Sequence, residues 1–327
     1  MRILVVRLAS ALVLFWLVIT LTFVLVRAAP GDPADLLAGP AATAADIARA
    51  RGELGLDDPL AVQYARWIGG IVSGDLGESI SFRRPVAAVL GDALPLSVFL
   101  GLLSLAMTFA IGILLGTVQA SRRGRAVDTV LTVVTTAIYA APSFWLALAL
   151  VAVFTYGASR LGAPHALRLP AFGLRDPAGQ YTGVAAIVDV ARHLVLPVTV
   201  LTAIGAAGIA RYARSAIADV LGADHVRTAR AKGAGAWRVY ARHVLSNALP
   251  PLVVLVALSL PGVIAGSVFV ESVFALPGMG RAMISAIASR DYPVILGATI
   301  LYAALVIGAN LAADLIMPQL DPRRRSA

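Results

Sequence analysis

Residues 213–251 read A-R-S-A-I-A-D-V-L-G-A-D-H-V-R-T-A-R-A-K-G-A-G-A-W-R-V-Y-A-R-H-V-L-S-N-A-L-P-P. The stretch is polar and basic: Arg214, Arg227, Arg230, Lys232, Arg238 and Arg242 stand against Asp219 and Asp224. It lies between two apolar runs, residues 193–211 and 245–270, each near the ~20 residues that cross a bilayer. A basic segment joining two spans is held on the cytoplasmic side. It is too long for a simple turn, so the reading is that something in the cytoplasm docks on it.

Composition sets the class. Of 327 residues 59% are hydrophobic and only 14% charged, where a soluble domain carries about 25% charge. The net charge of +9 raises nucleic acid as a partner. A nucleic-acid binder gathers its cations on a soluble module, whereas these sit in short connections between apolar runs. The chain has no cysteine, which removes disulfides, Cys-ligated zinc and thiol nucleophiles.

Outward from the basic stretch, the sequence predicts an all-α integral membrane protein with six spans. Residues 9–26 carry no charge and follow Arg2 and Arg7. That run exceeds the roughly 7–15 residues of a signal-peptide core, so an uncleaved span is favoured over a secretory signal. Further spans are expected at 94–119, at 128–155 with Pro142 as a kink, at 193–211, at 245–270 and at 294–317. The fourth is short and contains Pro197. Gly101, Gly112 and Gly116 allow close helix approach in the second. Arg122, Arg123 and Arg125, the long basic loop and Arg323 to Arg325 all fall on one side, which puts both termini in the cytoplasm. The divisions are 1–29, a first span; 30–93, an extracytoplasmic segment; 94–317, a five-helix core with the loop 213–245; and 318–327, a cytoplasmic tail.

The segment 30–93 is acidic and opens P-G-D-P, a turn signal. Asp58 reads as an N-cap with Pro59 at the first helical position. Leu60, Tyr64, Trp67, Ile68 and Ile71 then recur at helical spacing until Gly74-Asp-Leu-Gly77 ends the helix. This segment either receives an extracytoplasmic partner or caps the ends of the spans. Residues 156–192 and 271–293 are read as outer connections.

Catalytic and nucleotide signatures are missing. No G-x-x-x-x-G-K-[ST], H-E-x-x-H or G-x-S-x-G occurs in the chain, and His165, His193, His225 and His243 do not stand at ligand spacing. Ion-coupled transporters need ionisable groups within the membrane. Only Asp128 and Asp314 lie within the apolar runs, near cytoplasmic ends where capping or partner contact accounts for them. Uphill transport by this chain therefore needs energy delivered from elsewhere. Ser259, Gly262, Gly266 and Ser267, with Pro261, either line a pathway or pack tightly. Asn310 and Asp314 read as fixing helix ends.

Within the basic stretch, Asp224 reads as an N-cap and Gly233 as a terminator of a short cationic helix, 226–232, with Gly235 as a second break. Trp237, Tyr240, Ala241, Val244 and Leu245 share one face leading into the fifth span. A short helix between two glycine joints can insert into a partner's cleft. The competing reading is a basic amphipathic stretch lying on anionic lipid.

Arg227-Thr-Ala-Arg-Ala-Lys-Gly233, Arg242-His243 and Asn247-Ala-Leu-Pro-Pro251 resemble the ATPase-coupling loop of binding-protein-dependent ABC importer permeases, in the dipeptide/oligopeptide/nickel branch and its first permease subunit. The similarity covers essentially the whole chain. It includes Pro30-Gly-Asp-Pro33, Leu54-Gly-Leu-Asp57, Gly74-Asp-Leu-Gly-Glu-Ser79, Arg84-Pro-Val86, Glu271-Ser-Val-Phe274, Pro277-Gly-Met-Gly280, Arg290-Asp-Tyr-Pro293, Asn310 to Asp314 and Asp321-Pro-Arg323. The generic Glu-Ala-Ala start is here Arg227-Thr228-Ala229, a departure that fits the peptide branch.

The resemblance implies a type I ABC importer permease fold in the bacterial inner membrane. It implies ATPase coupling through Asp224, Val226, Arg227, Thr228, Ala229, Arg230, Ala231, Lys232 and Gly233. The implied partners are a second permease, two cytoplasmic ATPases, an extracytoplasmic binding protein and membrane lipid, with no nucleic acid. No cofactor binds this chain; ATP and magnesium belong to the ATPases. Peptides are the expected solutes, with nickel chelates, glutathione or glycosides as alternatives. A secondary transporter and an intramembrane enzyme are the other classes weighed. The first lacks buried charge, and the second lacks a nucleophile–base pair.

Overall fold

The computed structural model describes residues 2–28, 34, 42–53, 55–164, 168–264 and 268–320, without the side chains of 2–5, 257, 261, 263, 264 and 313–320. Among the described residues the regular elements are helices. They run α1 (Arg2–Ala28), α2 (Ala44–Glu53), α3 (Leu60–Ser73), α4 (Val86–Ser121), α5 (Ala126–Ala140) and α6 (Ser143–Val151). A π-helical turn, Ala152–Gly157, and a last turn, Ala158–Arg160, extend α6. Then come α7 (Val184–Leu221), α8 (Asp224–Ala231), α9 (Ala236–Arg238), a π-helical stretch (Val239–Leu245) and α10 (Ser246–Ile264). The chain finishes with α11 (Val268–Val273), α12 (Met279–Ala288) and α13 (Tyr292–Leu320).

Six of these segments are long and apolar enough to cross a membrane: Val6–Ala28, Val86–Ser121, Ser143–Arg160, Val184–Leu221, Ala236–Leu260 and Tyr292–Ala312. The number matches the sequence expectation; several boundaries do not. The third span is not one kinked helix from Asp128. Ala141 is extended, with φ −73° and ψ 134°, because the ring of Pro142 excludes the helical region for the residue before it. The chain restarts as α6, while α5, at ~22 Å, is too short to cross alone.

The fourth span, expected as a short run around Pro197, is instead the longest helix, with 38 residues. At ~57 Å it outreaches the ~30 Å hydrocarbon layer, as does α4 with 36 residues. Helix α7 absorbs residues 184–192, read as an outer connection, and 213–221, read as the start of the basic loop. Pro197 is buried inside α7, where packed neighbours can re-satisfy the freed carbonyl. Likewise α4 takes in residues 86–93 of the segment assigned outside.

The bundle is organised on α4 against α7. A Cβ on Gly112 would come within 2.7 Å of the Ile209 Cβ, and one on Gly116 within 2.5 Å of the Ala213 Cβ and 2.7 Å of the Ala210 carbonyl. One on Gly205 would meet the Thr108 hydroxyl at 2.6 Å. The partners 108/205, 112/209 and 116/213 rise together by four residues, so the two helices run parallel with backbones nearly touching. Parallel neighbours require the chain between them to return once across the bundle, and α5 with α6 does so.

Gly116→Val is therefore expected to force α4 from α7, because two of its clashes are with backbone atoms that cannot swing aside. The thermal midpoint of the detergent-solubilised chain should fall, with a cost of at least about 1–3 kcal/mol. Gly91→Ala, whose added carbon meets nothing within 4 Å, should leave the midpoint unchanged. Equal midpoints for the two variants would refute the seam.

On the C-terminal half of α1, Phe23 packs edge-on to Tyr64 at 5.3 Å and stacked on Trp67 at 5.2 Å, and Thr20 shares a 2.6 Å hydrogen bond with the Tyr64 hydroxyl. The apolar face of α3 is thus spent on α1. The helix is entered through Pro59, not Asp58 as expected; the Asp58 carboxylate accepts from the Arg66 guanidinium at 2.7 Å instead. It ends at Gly74 with φ +81°, a left-handed turn suited to glycine.

Candidate functional site

The short helix α8 lies across the ends of three spans. Val226, fully buried, and Ala229 point into a cluster made of Ala120 at the end of α4, Ala213 and Ile217 of α7, Val239 and Val244 of the π-helical stretch, and Ala248 and Leu252 of α10. The remaining residues expected to couple, Asp224, Arg227, Thr228, Arg230, Ala231, Lys232 and Gly233, are exposed. All nine lie together, two as anchors and seven facing outward. Spacing of i, i+3 puts the anchors on one side of the helix.

The expected N-cap is corrected by one residue. Ala223 occupies that position, with φ −73° and ψ 148°, and Asp224 begins the helix. Its carboxylate in the first turn complements the helix dipole and lies 3.6 Å from Arg227 in an exposed pair. The far end is a Schellman turn: Gly233, at φ +77°, donates to the Arg230 carbonyl at 2.9 Å, and Ala234 donates to the Ala229 carbonyl at 3.1 Å. Beyond the second break at Gly235, of the face expected to lead into the fifth span Val244 is buried and Tyr240 and Leu245 half-buried, while Ala241 and, at 84%, Trp237 are exposed; Val239, outside that expected face, is buried with Val244.

Arg214 leaves the set of available cations. Its Nε and Nη2 donate to the two carboxylate oxygens of Asp128 at 2.8 Å each, and the Gly124 N–H donates to the same carboxylate at 3.0 Å. This two-pronged pair fastens the start of α5 to α7. Hydropathy alone leaves Asp128 and Arg214, 86 residues apart, without each other.

Two carboxylates assigned to the outer connection are fully buried: Glu271 and Asp291. Glu271 accepts from the Ser97 hydroxyl at 2.9 Å and from the Gly280 N–H at 2.7 Å, while the Met279 N–H donates to Ser97 Oγ at 2.8 Å. The first backbone donors of α12 are thereby capped from α4 and α11. Pro277-Gly-Met-Gly280 is the cradle: a Cβ on Gly278 would meet the Glu271 carboxylate at 2.4 Å. Asp291 caps α13 through the Val294 N–H at 3.3 Å and accepts from the Ser81 N–H at 2.9 Å and from the Ser79 and Ser81 hydroxyls. The readable signal was Asp291 standing just before Tyr292-Pro293, an N-cap ahead of an early proline.

Between α4, α6, α7 and α10 lies a cavity of about 610 Å³, lined among others by Ser97, Gly101, Ser104, Thr108, Gly205, Tyr212, Ser259 and Gly262. Ser259 and Gly262, candidates from the sequence, face it; Ser267 and Gly266 lie outside the described residues, and of Pro261 only the backbone is described. Asn310 is exposed on α13, and the Asp314 side chain lies outside the described ones. His193 meets the Asp189 carbonyl at 2.8 Å, and His225 the His243 carbonyl at 3.4 Å. Among the described residues no three His, Asp or Glu side chains gather as a metal would require.

Residues 109–326 match the family described as binding-protein-dependent transport system inner membrane component, and residues 1–101 match its N-terminal counterpart. The chain belongs to this family. It is 38% identical over 304 residues to the oligopeptide transport system permease protein AppB of Bacillus subtilis, covering 93% of this chain and 92% of that protein. It is 36% identical over 332 residues to the di/tripeptide transport system permease protein DppB of Pseudomonas aeruginosa, covering 98% and 97%. Among solved structures, the inward-facing MetNI methionine ABC transporter aligns with a TM-score of 0.54 at 18% identity, over 71% of this chain and 96% of that one, which shows a shared fold. This inner membrane component is thus a multi-pass protein of the bacterial inner membrane with the ABC importer permease fold. The two family matches meet inside α4, so their division is not a boundary between folded units.

Proposed function

We propose that this chain is one permease subunit of an ATP-driven importer and forms half of a path for peptides handed over by an extracytoplasmic binding protein. A second, related permease supplies the other half. Two cytoplasmic ATPases hold α8, and ATP and magnesium stay with them; this chain hydrolyses nothing. Both termini lie in the cytoplasm, on the side of α8.

The observation that carries the reading is the construction of α8. An eight-residue helix is too short to persist alone in water, yet Val226 and Ala229 bind it to the ends of α4, α7 and α10. Its outward side offers Arg227, Arg230 and Lys232 with no bulky apolar group, which suits a cleft on a soluble partner. Motion imposed on α8 reaches three spans through one packed cluster. Peptides are favoured over nickel chelates, glutathione or glycosides by the names of the relatives, and the scarcity of charge in the spans favours an external energy source.

The test is reconstitution with the partner permease, ATPases and binding protein. Labelled tripeptide should accumulate in proteoliposomes only with ATP. Arg227→Glu with Arg230→Glu, both exposed, should keep the chain in the membrane while the ATPases no longer co-purify and uptake falls at least about tenfold, the loss of roughly 1.4 kcal/mol of docking. Accumulation by the purified chain alone, without nucleotide, would defeat the reading.

A further inference from the structure

The cavity between α4, α6, α7 and α10 has an unusual wall. Among the described residues that line it none is Asp, Glu, Lys, Arg or His, and hydroxyls come from Ser97, Ser104, Thr108, Ser143, Tyr212 and Ser259. Its volume of about 610 Å³ falls in the ~300–1,000 Å³ range of small-molecule sites.

Ser104 differs from most of the described span hydroxyls, and of the three whose buried oxygen lacks a partner, Ser104, Thr202 and Tyr302, it is the one that lines the cavity. Thr117 donates to the Ile113 carbonyl, Thr135 to Leu131 and Ser259 to Leu255, each at 2.7 Å, the usual way a helical hydroxyl satisfies itself. Ser97 is committed to Glu271 at 2.9 Å. Ser104 is 5% exposed, and its oxygen has no hydrogen-bond partner in the protein. It lines the cavity, in a region where an unmet hydrogen-bonding group is costly.

We propose that this groove is the chain's share of the solute path and that Ser104 hydrogen-bonds the main chain of the passing peptide. The proposal rests on the peptide-importer reading and adds how the solute is read. A hydroxyl both donates and accepts, so it serves an amide N–H or a carbonyl equally. A wall without formal charge neither holds nor repels acidic or basic side chains. Such a path discriminates by main chain and leaves side-chain selection elsewhere.

The chain contains no cysteine, so Ser104→Cys places a single thiol in it. In the reconstituted transporter with its binding protein and ATP, the charged reagent 2-sulfonatoethyl methanethiosulfonate should label this cysteine from water. Trialanine at about ten times its half-saturating concentration should slow labelling roughly tenfold. At Val195→Cys, on an exposed face of α7 outside the cavity, trialanine should not change the labelling. No labelling at Ser104→Cys, or labelling that trialanine does not slow, overturns the proposal.

Should that variant fail to assemble, Ser104→Ala and Ser104→Asp decide it through the uptake ratio of Ala-Lys-Ala to Ala-Glu-Ala. Alanine should leave the ratio unchanged, and aspartate should raise it about tenfold, equivalent to ~1.4 kcal/mol; an unchanged ratio with aspartate overturns the proposal. A wild-type transporter that takes up no tripeptide defeats the peptide reading itself, a failure separate from that of Ser104.

Discussion

Replacing Val226 with aspartate is expected to abolish uptake while the chain still inserts and folds. Val226 is fully buried where α8 meets the ends of α4, α7 and α10. An unpaired carboxylate placed there costs several kcal/mol. The spans cannot rearrange around it, because their own burial is far larger. The short helix can, since Val226 and Ala229 are its two buried anchors, and leaving the surface returns the new charge to water.

Uptake should fall at least ~100-fold, which corresponds to about 2.7 kcal/mol, with membrane content and the thermal midpoint of the solubilised chain unchanged. Gly233 gives a graded comparison. A Cβ there meets nothing within 4 Å, but the backbone sits at φ +77°. Gly233→Ala should therefore cost about 1–2 kcal/mol through conformation alone, and Gly233→Asn, which tolerates that region better, less. Normal uptake by Val226→Asp would mean that α8 transmits nothing.

The second large effect is expected at the Glu271 cradle. Gly280→Val should be the most damaging change, because its Cβ would lie 2.5 Å from the Cα of Val268, and neither backbone can yield independently. Glu271→Ala removes the acceptor of the Gly280 N–H and of the Ser97 hydroxyl. At about 1–3 kcal/mol for each buried group left unmet, the loss is on the order of 2–6 kcal/mol. Glu271→Gln keeps the shape and one acceptor oxygen and should lose least. The three should rank in that order by thermal midpoint in detergent; a Gly280→Val protein as stable as the parent would refute the cradle.

Much of this was readable in residue order, and the exceptions share a cause. The glycine joints at Gly233 and Gly235 were legible because glycine has a local conformational meaning, and so was the number of spans, because apolar runs report on the bilayer directly. The length of α7 was not. Residues 213–221 carry Arg214 and Asp219 and read as loop. What makes them helix is burial of Ala213 and Ile217 against Ala120 and the Asp128–Arg214 pair, and both depend on residues about 90 positions away. The burial of Glu271 and Asp291, in residues read as an outer connection, is hidden for the same reason. A carboxylate in an outer connection is assumed to be wet until the backbone N–H groups and serines that enclose it are seen. The π-helical stretch Val239–Leu245 carries no local signal.

The seam of α4 and α7 has a last implication for how such a permease moves. With glycine facing isoleucine and alanine at every fourth position, neither rod can slip lengthwise without dragging a methyl group over a carbonyl. The two must travel as a single stiff plank, and α8, packed against the C-terminal ends of both, has no means of tilting one without the other. Freedom to bend must therefore reside off the plank. The described backbone offers such a hinge at Ala141-Pro142, where the third crossing is interrupted.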